Sequence, residues 1–206
     1  MSEKIYHAVY DTMADWETGH ATAHIRNGLY QKDPGRYEIV TVGLTTEPVV
    51  TMGGLRITPD VALDDVRPED ARMLILPGAS LWDAGEELAP FARKAREFLE
   101  AGVPVAAICG ATAGLAREGV FDSRRHTSAA LPYLQMQQGY GGAGNYVEAP
   151  AVADGRLITA GPVDPVDFAR EIFAELDLYT PEVLDAWHRL FKHGDAGAFE
   201  VLMAAS

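Results

Sequence analysis

The chain has 206 residues, a formal net charge of −13 at pH 7 and a pI near 4.8. This acidity argues against nucleic-acid partners, which need a basic face, and no apolar run approaches the ~18 residues of a membrane span. One cysteine excludes an intramolecular disulfide and fits a reducing compartment. Since the N-terminus also lacks the pattern of a signal peptide, we expect a cytoplasmic protein.

Strands and helices alternate along the first half of the chain. Short apolar runs predict strands, and apolar residues at helical spacing predict helices. Asp15 is the expected N-cap of the first helix. A Gly53-Gly54 turn predicts a small β-hairpin. The predicted strands are 5–10, 37–43 and 73–76, the helices are 16–31 and 87–101, and the hairpin covers 48–58.

The alternation continues in the second half, where Asp154-Gly155 predicts a hairpin with a type I′ turn. This order predicts one domain, residues 1–206, around a mostly parallel, doubly wound sheet that binds ligands at the carboxyl ends of its strands. The predicted elements are a strand at 105–108, a turn and a short strand within 121–127, helices at 129–138, 166–178, 181–191 and 196–203, and a hairpin at 146–160.

The organising stretch is residues 105–116, in which an apolar strand ends at Cys109 and Gly110 leads into a helix. A turn of this kind exposes the corner side chain and places it at a helix N-terminus, where free N–H groups favour negative charge. These are the features of a nucleophile elbow. The setting predicts a reactive thiol with a lowered pKa. The alternative is a buried structural cysteine.

The elbow has two further segments around it that carry a family resemblance. One is Leu74-Ile75-Leu76-Pro77-Gly78, and the other is the hairpin that ends in Ile158-Thr159-Ala160-Gly161. With Ala107-Ile108-Cys109, they resemble the DJ-1/PfpI family of the class I glutamine amidotransferase-like superfamily, over about residues 4–178. The resemblance implies a flavodoxin-like three-layer α/β sandwich with a mostly parallel sheet and a nucleophile elbow. It also implies a homodimer and no cofactor.

Site residues follow from the resemblance position by position. It implies that Cys109 is the reactive thiol, that Glu17 lies against it in the first turn of the first helix, and that Gly78 and Gly110 offer N–H groups as an oxyanion hole. A partly buried Glu17 can act as general acid and base. Alternatively, it only complements the helix dipole.

The histidine is where the chain departs from the family pattern. Members of the family carry Thr-Thr-His after the elbow helix, and here Thr127-Ser128 match the threonines while Ala129 stands in place of histidine. His126 is the remaining candidate for a catalytic partner of Cys109; otherwise it is a structural histidine. Residues 161–165 also lack the histidine of true glutaminases, so we do not expect a glutaminase.

Other patterns have simpler explanations. Glu17, His20 and His24 share a helix stripe that can bind Zn²⁺, but such spacing is common on solvated faces and no metal site is predicted. Trp16 and Trp82 line the site or serve in packing or dimer contacts. Two functions stay open: a cysteine-dependent enzyme acting on a small electrophilic, amide or carbonyl substrate (a hydrolase, glyoxalase or hydratase), and a non-catalytic oxidative-stress sensor or chaperone with an oxidisable cysteine.

Overall fold

A computed structural model describes residues 2–205 of the chain. Its strands are β1 (Glu3–Ala8), β2 (Tyr37–Gly43), β3 (Val49–Val50), β4 (Arg56–Ile57), β5 (Val61–Ala62), β6 (Ala71–Leu76), β7 (Val105–Ile108), β8 (Ala151–Asp154) and β9 (Leu157–Ala160). Its α-helices are α1 (Gly19–Asn27), α2 (Ala89–Glu100), α3 (Gly110–Arg117), α4 (Leu131–Gln135), α5 (Pro165–Glu175), α6 (Pro181–His193) and α7 (Ala198–Ala204).

Seven of these strands form one sheet in the order β5-β2-β1-β6-β7-β9-β8, and β3 pairs with β4 in a separate hairpin. Within the seven-stranded sheet every pairing is parallel except that of β8 with β9. The carboxyl ends of β1, β6 and β7 therefore meet at one edge, which brings the three loops that follow them together.

Both faces of the sheet are covered, which explains why its central strands are continuously apolar. In β6, Leu74 and Leu76 belong to one buried cluster and Met73 and Ile75 to the other. Helices α2, α3 and α4 contribute to the first cluster, and α1, α5, α6 and α7 to the second. The predicted three-layer α/β fold is confirmed.

The start of the first helix differs from the prediction. Helix α1 begins at Gly19, so Asp15 is not its N-cap and Glu17 precedes the helix. The Asp15 carboxylate instead accepts hydrogen bonds from the Gly53 N–H (2.6 Å) and the Thr51 hydroxyl (2.5 Å). This side chain connects the loop after β1 to the β3–β4 hairpin, a partner too distant in sequence for local patterns to indicate.

Three details of the second half also differ. Of the turn and short strand predicted within 121–127, the turn is present and the strand is reduced to one bridge between His126 and Tyr146. Helix α4 covers Leu131–Gln135 and is shorter than the predicted helix at 129–138. In the β8–β9 hairpin Asp154 pairs with Leu157. Gly155 has a positive φ of 61° whereas Arg156 has a negative φ, which excludes a type I′ turn.

Of the helices described, none combines the length and apolar character that crossing a membrane requires.

Candidate active site

Cys109 occupies the corner between β7 and α3 with φ 56° and ψ −126°, a conformation that costs a non-glycine residue about 1–3 kcal/mol. Its backbone is held on both sides. The Cys109 N–H donates to the Ala160 carbonyl at the end of β9 (3.1 Å), and the Thr112 hydroxyl donates to the Cys109 carbonyl (2.6 Å). The thiol is partly exposed. The nucleophile elbow is therefore present in the structure.

Small residues after the cysteine make room for Trp82, which is buried against the elbow helix. A Cβ on Gly114 would lie 2.2 Å from the indole Cζ3, and one on Gly110 would lie 3.2 Å from the Trp82 Cβ. The indole Nε1–H donates to the Pro77 carbonyl (3.1 Å), which fixes the loop after β6. Trp82 is thus a packing residue that holds two loops of the site together.

Glu17 reaches the elbow from the loop between β1 and α1, and it is fully buried. Its Oε2 accepts a hydrogen bond from the Gly78 N–H (2.5 Å), whereas Oε1 is buried without a hydrogen-bond partner among the described residues. A Cβ on Gly78 would lie 2.7 Å from Glu17 Oε2 and 3.0 Å from Cys109 Sγ. Only glycine at this position lets the carboxyl and the thiol approach the loop from both sides.

Burial governs the electrostatics of this pair. Desolvation raises the pKa of Glu17 to about 7, although the Cys109 thiol and the Gly78 N–H partly offset the effect. Burial also raises the pKa of the Cys109 thiol to about 12, with the Glu17 carboxylate as the second cause, and the Gly110 N–H opposes the rise. The predicted lowering of the thiol pKa is therefore wrong, because a carboxylate and partial burial outweigh the helix N-terminus.

The two predicted oxyanion donors differ in their surroundings. The Gly78 N–H is already engaged by Glu17, so it is not free to bind a substrate oxygen in this arrangement. The Gly110 N–H faces the Cys109 sulfur, where it favours negative charge. Of the two predicted donors, the Gly110 N–H is therefore the one that Glu17 does not bind.

His126 is not brought to the elbow. Its Nδ1 pairs with the Arg124 carbonyl (2.8 Å), its Nε2 pairs with the Tyr140 hydroxyl (2.7 Å), and its ring stacks on Phe121 at 4.1 Å between centroids. With both ring nitrogens engaged, the buried imidazole has no nitrogen free to take a proton from Cys109. The hypothesis of a Cys109–His126 pair has no support in this geometry, and His126 serves the packing of the loop it occupies.

Asp83 and Tyr133 are neighbours of the thiol that the sequence did not indicate. The Tyr133 hydroxyl donates to Asp83 Oδ1 (2.8 Å), and the charge of Asp83 contributes to the raised pKa of Cys109. Arg117 joins the two segments by donating to the Trp82 carbonyl (3.1 Å) and to Gln137 Oε1 (2.7 Å). Neither Asp83 nor Tyr133 belongs to a motif, so no pattern in the sequence could have identified them.

The chain matches one known protein family over most of its length. A model described as the DJ-1/PfpI family matches residues 3–175. The chain belongs to the DJ-1/PfpI family.

Proteins similar to this family member match between 69% and 100% of its length. It is 41% identical over 194 residues to the uncharacterized protease YoaZ of Bacillus subtilis, covering 93% of this chain and 91% of that protein. It is 28% identical over 144 residues to the glutathione-independent glyoxalase DJR-1.2 of Caenorhabditis elegans, covering 69% and 75%. The crystal structure of a thiJ/pfpI family protein from Bacillus anthracis is similar with a TM-score of 0.93 and 39% identity, covering 100% and 97%.

In this DJ-1/PfpI protein the segment after the elbow helix has hydroxyl groups at the two threonine positions of the family's Thr-Thr-His stretch. The Thr127 N–H donates to the Thr159 hydroxyl (2.8 Å), and the Ser128 and Thr112 hydroxyls pair at 2.7 Å. Ala129 is exposed and carries no group that can transfer a proton. Glu17 therefore supplies the carboxyl group that lies beside the thiol.

Glu17, His20 and His24 do not converge on one point. Glu17 faces Gly78, whereas the rings of His20 and His24 pack edge-on against Phe191 at 5.4 and 4.9 Å between centroids. The stripe predicted for one helix face is broken because Glu17 lies before α1. Trp16 is about half exposed, and its indole N–H donates to the Pro162 carbonyl (3.1 Å).

Proposed function

We propose that this DJ-1/PfpI protein is an enzyme in which the Cys109 thiol adds to the carbonyl carbon of a small aldehyde or ketone. The observation that carries the proposal is the Glu17 carboxyl, buried beside the thiol with a free Oε1 and a pKa of about 7. A group with this pKa is present in both protonation states near neutral pH, as a general acid and base requires.

The addition needs one proton transfer in each direction. Ionised Glu17 takes the thiol proton as the sulfur–carbon bond forms, and the carbonyl electron pair moves onto oxygen. The Gly110 N–H stabilises the resulting oxyanion, and Glu17 then returns the proton to that oxygen. The product is a hemithioacetal, and no oxidant, reductant or metal enters its formation.

A 2-oxoaldehyde is the substrate class that this chemistry suits best. In its hemithioacetal, Glu17 can move the hydrogen of the aldehyde carbon, as a proton, to the neighbouring ketone carbon, while the hemithioacetal hydroxyl proton passes to the ketone oxygen. The product is a thioester of a 2-hydroxy acid. Water releases the acid and restores Cys109. The aldehyde carbon is oxidised as the ketone carbon is reduced, so the electrons balance. The name of DJR-1.2, a glutathione-independent glyoxalase, supports this class.

Peptide or amide hydrolysis is less well supported, although YoaZ is named an uncharacterized protease. An amine leaving group must receive a proton as it departs, after the thiol has lost one. Cysteine proteases assign this work to histidine, and the His126 nitrogens are engaged elsewhere.

The test follows consumption of a 2-oxoaldehyde such as methylglyoxal and formation of the 2-hydroxy acid. We expect Cys109→Ser to abolish turnover and Glu17→Gln to lower it about 100-fold. The exposed Glu47→Gln variant is the control and should match wild type. Turnover should rise as the pH passes about 7, because Glu17 must be ionised to take the proton. Full activity of Cys109→Ser, or no turnover by wild type, would overturn the proposal.

The oxidative sensor is the second candidate, and the free Oε1 of Glu17 is the observation that favours it. When Glu17 is protonated, this atom can donate a hydrogen bond to an oxygen of oxidised Cys109. Peroxide should then add one or two oxygen atoms to wild type by intact mass, and the product should be less uniform in Glu17→Gln. Unrestricted oxidation to three oxygens in wild type would contradict a sensor that holds a defined state.

We also propose a homodimer in the cytoplasm. Exposed apolar side chains near the elbow, among them Trp16, Met52, Leu55 and Val163, support self-association. The single cysteine supports a reducing compartment.

A further inference from the structure

Two buried hydroxyl groups beside the elbow have no part in the chemistry proposed above. Thr112 lies in the first turn of α3 and Ser128 in the segment after the elbow helix, and both side chains are buried. The Thr112 hydroxyl donates to the Cys109 carbonyl (2.6 Å), and the hydroxyl oxygens of Thr112 and Ser128 lie 2.7 Å apart. The two groups therefore form a hydroxyl chain that ends at the backbone of the reactive cysteine.

The direction of the hydroxyl chain follows from its protons. A hydroxyl has one proton to donate. Thr112 gives its proton to the Cys109 carbonyl, so Ser128 is the donor in the contact between the two hydroxyls. Hydrogen bonds linked in this order polarise and strengthen one another where burial excludes water. The Cys109 carbonyl also accepts from the Thr112 N–H (3.0 Å), so Thr112 holds it with two donors.

Holding this carbonyl also orients the next N–H group. The carbonyl of Cys109 and the N–H of Gly110 belong to one peptide unit, which is planar and trans, so the two groups point in opposite directions. Thr112 holds the oxygen on the α3 side, and the Gly110 N–H faces the Cys109 sulfur. A rotation of the peptide unit that releases the carbonyl would turn the N–H away from the sulfur. Contacts must maintain the orientation, because Cys109 has a strained backbone with φ 56° and ψ −126°.

We propose that Thr112 and Ser128 are positioning residues of the elbow: their hydroxyl chain holds the Cys109 carbonyl and thereby aims the Gly110 N–H at the sulfur and at the oxyanion formed beside it. The inference rests on the proposed addition to a carbonyl, in which that N–H stabilises the oxyanion. Both residues act through the backbone of Cys109, and neither transfers a proton to the substrate.

The test compares Thr112→Val with Thr112→Ser. Valine keeps the shape of threonine and removes the hydroxyl, whereas serine keeps the hydroxyl and removes a methyl group. In Thr112→Val the kcat for methylglyoxal should fall about tenfold with little change in KM, because the oxyanion forms only as the reaction proceeds. Alkylation of Cys109 by iodoacetamide at mildly alkaline pH should be about two- to fivefold slower, since the Gly110 N–H favours the thiolate. Thr112→Ser should keep the wild-type kcat and alkylation rate.

The double variant Thr112→Val/Ser128→Ala separates positioning from stability. In Thr112→Val the Ser128 hydroxyl loses the oxygen to which it donates, which destabilises the fold, and Ser128→Ala removes that unpaired group. The double variant should therefore unfold at a higher urea concentration than Thr112→Val, while its kcat and alkylation rate stay as low. Recovery of kcat and alkylation together with stability would show that the hydroxyl chain only supports the fold, which would overturn the inference.

Thr127→Val is the matched control, because the buried Thr127 hydroxyl also donates to a carbonyl, that of Ala149 (3.0 Å). It should keep the wild-type kcat and alkylation rate. Equal losses in Thr112→Val and Thr127→Val, or no loss in Thr112→Val, would contradict the positioning role. If wild type does not consume methylglyoxal, the proposed function fails, and the alkylation rates still decide whether Thr112 orients the Gly110 N–H.

Discussion

Glu17 and Cys109 form a pair in which each group changes the other. The Glu17 carboxylate raises the pKa of the thiol, and burial raises the pKa of both. The helix N-terminus that the sequence places behind Cys109 is present, but its effect is smaller than that of a carboxylate in a desolvated site. We therefore expect the ionisation of the thiol to depend on the protonation state of Glu17.

Replacing Glu17 with glutamine separates thiol ionisation from proton transfer. In Glu17→Gln the pKa of Cys109 should fall towards its ordinary value of 9.0, because the neighbouring negative charge is lost. Alkylation by iodoacetamide at mildly alkaline pH should then be about tenfold faster, since each pKa unit changes the thiolate fraction tenfold. Turnover should fall instead. An unchanged pH profile of alkylation would show that the two groups are not coupled.

Gly78 is required by space rather than by backbone conformation. In Gly78→Ala the new methyl group would lie 2.8 Å from Cys109 Cβ, so the loop or the elbow must shift. We expect a loss of about 1–3 kcal/mol in the free energy of unfolding, measured with urea. Gly19→Ala is the matched control, because nothing lies within 4 Å of its Cβ position. Equal stability of the two variants would contradict the close approach.

Between elements, His7 connects β1 to the start of α1. Its Nε2 pairs with the Thr18 hydroxyl (2.9 Å), directly beside Glu17, and complete burial lowers its pKa from 6.5 to about 4. The contact holds the loop that delivers Glu17 to the elbow. Local sequence patterns predicted β1 and α1. The contact of the His7 side chain with Thr18 determines the course of the loop between them.

The lowered pKa of His7 makes stability depend on pH. Between about pH 6.5 and 4 the unfolded chain binds a proton at His7 and the native state does not, so stability falls as the pH falls. The loss from this group is about 3 kcal/mol. Over that pH window the free energy of unfolding of His7→Gln, measured with urea, should fall less than that of wild type. Wild type must be compared with this variant because Glu17 has the opposite effect: its raised pKa makes stability fall as the pH rises through about 7.

On the scale of the whole molecule, exposed apolar side chains collect near the carboxyl edge of the sheet. Trp16 and the segment of Val163 are joined by the bond from Trp16 Nε1 to the Pro162 carbonyl. The hairpin that bears Met52 and Leu55 is joined to the same loop through Asp15. These contacts join the three segments that bear the four exposed side chains. The expectation of one domain over residues 1–206 stays a prediction.

The proposed homodimer gives a direct expectation for this surface. Wild type should have the mass of a dimer by light scattering, and Trp16→Lys or Met52→Lys should shift it to monomer, because a buried lysine has no partner there. Met136→Lys, at the exposed methionine directly after α4, is the control and should stay dimeric. A wild-type monomer at micromolar concentration would contradict the proposal.

The sequence by itself determined the order of strands and helices, the three-layer fold, the family and the elbow at Cys109. These features depend on periodicity and on short runs of residues, which act over a few neighbours. Only the tertiary structure decided that the Glu17 carboxyl is buried beside the thiol, that the Gly78 N–H donates to Glu17, and that His126 stacks on Phe121 instead of reaching Cys109. Those outcomes depend on contacts between segments distant along the chain and on burial, which changes the pKa of a group without changing its neighbours in sequence.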